Sequence, residues 1–146
     1  RFNKDVLIKK IQKIAEYRSK AKVYNQDISV FLRRFLPQES ENCDLLVYFD
    51  PPYFEKGQRL YLNHFSSKDH ERLRDAIALL KCKWIMTYDD KIEIEKLYEN
   101  YEKYRFSINY SLSNKKKGGE LMIFKDKSCV PSIEVISKLS KAVSFG

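Results

Sequence analysis

The residues whose types and spacing point most directly to chemistry are Asp50, Pro51, Pro52 and Tyr53, in the stretch LLVYFDPPYFEKG from Leu45 to Gly57. A run of apolar residues ends there on an acid, two prolines and an aromatic ring. The prolines hold φ near about −65° and remove two N–H donors. Each also pushes the residue before it towards extended geometry, so backbone carbonyls point outward with no neighbouring N–H to claim them. A carboxylate oxygen of Asp50 and one of these backbone carbonyls then form a rigid acceptor pair beside the flat face of Tyr53. Such a set suits a planar group bearing an NH₂, because the acceptors take both amino hydrogens while the ring stacks. A bare Asp-Pro-Pro equally well initiates a turn or helix after a strand. The apolar run before it and the aromatic after it favour a site.

Positioning that corner is the task of the surrounding elements. Asn3 as N-cap, with Val6, Leu7, Ile11 and Ile14 on one face, predicts a helix from Lys4 to about Arg18. Lys22 to Asp27 reads as a short strand, Ile28 to Leu36 as a helix, and Pro37 to Asn42 as a turn. Asp44 to Phe49 is continuously apolar after its first residue, the pattern of a central strand in a parallel sheet. A loop follows from Phe54 to Phe65, and Ser66 or Ser67 caps a helix from Lys68 to about Leu80. Lys83 to Tyr88 is a strand ending at Asp89 and Asp90, and Ile92 to Asn100 a helix with Ile94, Leu97 and Tyr101 inward. Lys103 to Leu112, a turn at Ser113 to Gly119, and Glu120 to Phe124 predict a hairpin, and Pro131 opens a last helix.

Strands alternating with helices predict an α/β fold, with a mostly parallel sheet, helices on both faces and a C-terminal antiparallel hairpin. Ligands of open α/β sheets bind at the carboxyl ends of strands. Asp27, Asp50 and Asp89 are each expected at such an end.

The 146 residues suit one domain. No run of about 18 apolar residues offers a membrane span. Cys43, Cys82 and Cys129 are odd in number and widely spaced, which reads as thiols in a reducing cytoplasm rather than a disulfide framework or zinc site. His64 and His70 lack the i, i+4 spacing of a helical metal pair, so no metal is expected. A net charge of +8 favours polyanionic partners, although lysines such as Lys9, Lys10 and Lys13 also fit a solvated helix face.

DPPY after an apolar strand resembles the motif of S-adenosylmethionine-dependent amino methyltransferases. The ordered set RFNK, VYNQD, DLLVYFDPPY, YLNHFSSKDHERL, KWIMTYDD and GGELMIF is similar to the Dam-type DNA adenine-N6 methyltransferases, from Arg1 to Phe124. The resemblance implies methylation of an adenine flipped out of double-stranded DNA, with S-adenosylmethionine as cofactor. It makes Asp50, Pro51, Pro52 and Tyr53 the target-base residues, with Asp50 also beside the cofactor. Asp27 matches the family's acid at the cofactor adenosine, and it reads equally well as the N-cap of the helix at Ile28. Tyr61, Asn63, His64 and Phe65 match the loop near the target base and DNA, and Phe65 also reads as loop packing. Lys115, Lys116 and Lys117, next to Gly118 and Gly119, are placed to approach phosphate or to form a solvated hairpin tip.

The family's phenylalanine- and glycine-rich cofactor loop has no counterpart among these residues. The chain is therefore expected to be a single unit corresponding to the C-terminal part of the methyltransferase domain, with little cofactor affinity of its own. Its exposed apolar edges would favour self-association. An RNA or protein amino methyltransferase, or a non-catalytic remnant, are the alternative readings.

Overall fold

The structure, a computed structural model, describes residues 3–39, 44–55, 64–108 and 118–132. The first helix, α1, spans Lys4–Ala15, with the Asn3 side chain accepting from Val6 N at 3.2 Å. It stops three residues short of Arg18, in turns from Glu16 to Lys20. No residue of α1 is buried, so its apolar stripe faces solvent among the described residues.

The strand expected over Lys22 to Asp27 is absent. That segment is irregular, pairs with no strand among the described residues, and leaves Val23 94% exposed. Asp27 therefore ends no strand. It opens α2, Ile28–Glu39, which runs on through Pro37 where a turn was expected. Proline's fixed φ is helical, and near the end of a helix it removes one bond of the ladder.

The remaining elements are β1 (Leu46–Phe49), α3 (Ser67–Ala78), β2 (Lys83–Asp89), α4 (Ile92–Leu97), β3 (Glu102–Ile108) and β4 (Gly118–Phe124), then a 3-10 turn at Lys127–Cys129. Ser66 caps α3 in a full capping box with Asp69, an arrangement of the kind whose loss costs about 0.5–2 kcal/mol.

The four strands form one mixed α/β sheet in the order β1-β2-β4-β3. β1 and β2 are parallel, Leu46 beside Lys83 and Phe49 beside Met86. The C-terminal hairpin pairs antiparallel, with β4 inserted between β2 and β3. β1 is thus the outer strand among the described residues, and Leu46 and Tyr48 are 57% and 60% exposed. A continuous apolar run does not by itself denote a strand covered on both faces.

Alternation divides the sheet sharply. One face carries Phe49, Trp84, Met86, Tyr88, Leu121 and Ile123, all buried against Leu73 and Ile77 of α3 and against Ile94 and Tyr98. The opposite face carries Tyr48, Thr87, Asp89 and Glu120 beside Ile85, Met122 and buried Phe124, and Thr87, Asp89 and Glu120 are its buried polar residues. The two faces meet the Asp50 corner at the carboxyl ends of β1 and β2.

Candidate active site

The chain leaves β1 at Phe49 and turns through Asp50, which is exposed, into half-buried Pro51, Pro52 and Tyr53. Thr87 Oγ1 donates to Asp50 Oδ1 at 3.3 Å, and the Tyr48 hydroxyl lies 2.8 Å from the same Thr87 oxygen. With the Thr87 proton on Asp50, Tyr48 is the donor of the second bond. The pair braces one carboxylate oxygen; Oδ2 has no partner among the described residues.

The corner is also tied from below. Asp89, 1% exposed, accepts the backbone N–H of Phe54 at 2.8 Å on Oδ1 and that of Glu55 at 2.9 Å on Oδ2. The Tyr53 hydroxyl donates to Oε2 of buried Glu120 at 2.9 Å. Glu120 stands opposite Asp89 in the ladder. Gly119 permits that close start of β4, because a Cβ there would come within 3.2 Å of the Asp90 carboxylate. Gly118 and Gly119 are thus the first residues of β4 and not part of a turn. Lys91 pairs with Glu55 at the far end of the corner.

Behind the corner, His70 of α3 is 1% exposed, with Nδ1 2.8 Å from the Tyr88 hydroxyl. Its ring lies 5.3 Å from those of both Phe54 and Phe65. Burial holds the imidazole below its ordinary pKa, against the opposing pull of the Asp89 and Asp69 carboxylates. Burial likewise pushes the Tyr88 hydroxyl well above its ordinary value.

Two adjoining cavities open beside these groups. One, of about 250 Å³, is bounded by Tyr48, Asp50, Pro51 and Pro52 and walled by Ile28, Phe65 and Leu73. The other, of about 230 Å³, shares that apolar wall and is lined on its polar side by Asp27, Ser29, Asp69 and Arg72. Asp27 Oδ1 accepts from Ser29 N at 2.9 Å and Val30 N at 3.4 Å, as an N-cap does. The Ser29 hydroxyl bond, then the backbone bonds, hold its pKa below the ordinary carboxylate value. Asp69 is held lower still, by the Ser66 hydroxyl and N–H and by Arg72.

The structure therefore places Asp27 and Asp50 on two cavities that share Ile28, Phe65 and Leu73, although Asp27 ends no strand. His64 is exposed just ahead of α3. Tyr61, Asn63, Lys115, Lys116 and Lys117 lie outside the described residues. Sequence reasoning missed Thr87 and Glu120 and treated Asp89 only as a strand-end acid. The available signal was polarity at positions whose strand neighbours are all apolar.

The model of the D12 class N6 adenine-specific DNA methyltransferase family matches residues 1–112. The chain belongs to this family. No curated protein matches the chain. The part matched to the D12 class contains Asp27, the Asp50–Tyr53 corner, Thr87 and Asp89, whereas Lys115 to Lys117 and Glu120 lie beyond it. Among the described residues, no helix of this D12-class chain is long and apolar enough to cross a membrane.

Proposed function

We propose that this chain forms the target-base half of a DNA adenine-N6 methyltransferase that uses S-adenosylmethionine on an adenine flipped out of double-stranded DNA. The observation that carries this reading is Asp50: exposed at a cavity mouth, braced on Oδ1, and with Oδ2 unclaimed among the described residues. An adenine amino group donates one hydrogen to Asp50 Oδ2 and the other to the Pro51 carbonyl. Those bonds draw the nitrogen lone pair out of the ring and orient it, while Tyr53 holds the ring face. Preorganised acceptors and orientation then supply most of the rate. Asp50 Oδ2 is also the nearest acceptor for the proton that the nitrogen sheds on gaining a methyl group.

The residues present fit part of the cofactor. The cavity beside Asp27 offers a carboxylate for amino or hydroxyl donors, and it shares an apolar wall of Ile28, Phe65 and Leu73 with the cavity beside Asp50. When bound, S-adenosylmethionine supplies an electrophilic methyl group on a sulfonium. A glycine-rich loop for its remainder belongs to a segment other than these residues. The domain reading, the second half of a methyltransferase unit, follows from that. Tyr61, Asn63, His64 and Lys115 to Lys117 are assigned to DNA contact, in keeping with the net charge of +8. Cys82 and Cys129 are thiols, which suits a cytoplasmic protein. The apolar side chains exposed on α1 and β1 support self-association of the isolated chain, for sedimentation to test.

The test is the fate of a labelled methyl group offered to DNA, ribosomal RNA and protein by the full-length protein. Label at adenine N6 of DNA is expected. Label confined to RNA or protein assigns the same corner to another acceptor and refutes this one.

A further inference from the structure

We propose that Thr87, Asp89 and Glu120 are positioning residues that hold the Asp50–Glu55 corner in its reactive geometry; this rests on the methyl-transfer reading above. Each grips a different part of the corner. Thr87 fixes Asp50 Oδ1, Asp89 takes the Phe54 and Glu55 N–H groups, and Glu120 takes the Tyr53 hydroxyl. The three arise from one patch of the sheet. Thr87 and Asp89 are two apart on β2, and Asp89 faces Glu120 across the ladder.

Their burial is the informative part. Thr87, Asp89 and Glu120 are 5%, 1% and 2% exposed. Two acids opposite each other on neighbouring strands repel, and each loses hydration on burial. The same strands fill their other buried positions with Trp84, Met86, Tyr88, Leu121, Ile123 and Phe124, so acids are the exception inside this sheet. What the polar side chains add is directional hold on the corner. A ring fixed at its hydroxyl edge cannot slide, and a carboxylate braced on one oxygen presents the other in one direction. Misplacement by about 1 Å is enough to lower a rate about 100-fold. None of the three touches the substrate; they act through Asp50, Tyr53 and the backbone.

The experiment compares Tyr53→Phe, Glu120→Leu, the double variant and Glu120→Gln in the full-length protein, measuring kcat and KM on duplex DNA. Tyr53→Phe and Glu120→Leu are each expected to lower kcat about 10- to 100-fold, with KM moved less than about threefold. Because they break one bond from its two ends, the double variant is no worse than the poorer single. Glu120→Gln keeps an oxygen for the Tyr53 hydroxyl and recovers to within about fivefold of the parent. Multiplying losses, or a Gln variant as poor as Leu, overturns the role of Glu120.

A second readout needs no turnover. Hydrogen exchange at the Phe54 and Glu55 amides is expected to accelerate at least about 100-fold in Asp89→Ala. If that variant does not fold, Asp89→Asn is read instead, with one of the two amides accelerating. Unchanged exchange overturns the clamp. Absence of N6 methylation by the parent protein refutes the functional reading separately, since the exchange result stands apart from it.

Discussion

The carboxyl ends of β1 and β2 lie side by side, and each carries an aspartate, but the two acids have opposite surroundings. Asp50 is exposed at a cavity and bonded on one oxygen by Thr87. Asp89 is buried and has each oxygen occupied by a backbone N–H of the corner that Asp50 begins. A carboxylate with both oxygens bonded inside the protein has little left for a substrate; one with an open oxygen at a cleft does. On the proposed reading, the difference gives reactivity to β1 and support to β2. It also explains why a small corner with two prolines has so much buried polarity beneath it.

The comparison is most easily broken at Asp89. Asp89→Ala leaves the partly buried Phe54 and Glu55 N–H groups without their acceptor, at no more than about 1–3 kcal/mol each. Denaturant unfolding should show a loss of about 2–5 kcal/mol; a loss below about 1 kcal/mol would make Asp89 as dispensable to the fold as an exposed acid.

His70, packed behind the same corner, sharpens the contrast through pH. Above its ordinary value of 6.5 the imidazole is neutral in both folded and unfolded chains. As pH falls through that value the unfolded chain takes up a proton that the buried ring refuses until a lower pH. Stability should therefore decline on acidification, by at most about 1.4 kcal/mol per pH unit for one proton. Asp27, Asp69 and Asp126 have depressed pKa values and contribute a separate loss only below their ordinary 3.8. His70→Gln should flatten the decline that starts near neutrality; an unaltered slope would show that His70 is not its source.

Smaller effects belong to the solvent side. Tyr48→Phe removes the donor to Thr87 from a side chain that is 60% exposed, so its unfolding free energy should change by less than about 1 kcal/mol. Lys91→Ala, which breaks the surface pair with Glu55, should change it by less than about 0.5 kcal/mol by the same measurement.

Much of the frame was legible because local rules governed it. Asn3 and Ser66 cap the helices they were expected to cap, and the strands at Lys83 and Glu120 follow their apolar patterns. Lys22 to Asp27 misled because β propensity without a partner strand stabilises nothing, and Asp27 finds its bonds in α2 instead. Within the candidate site, Asp50 to Tyr53 could be read because their chemistry is contiguous. The Tyr53–Glu120 bond joins residues 67 apart and the Phe54–Asp89 bond residues 35 apart. Such pairings are set by the registers of β1 against β2 and of β2 against β4, which no local pattern reveals.

The central claim is that Asp50 meets the substrate and Asp89 holds the corner that presents it. Its most direct measurement is the methyl-transfer rate and the unfolding free energy of Asp50→Ala, taken together in the full-length protein. The account predicts a rate lowered by about 10²- to 10³-fold or more with stability changed by less than about 0.5 kcal/mol. Transfer within about threefold of the parent rate would contradict it.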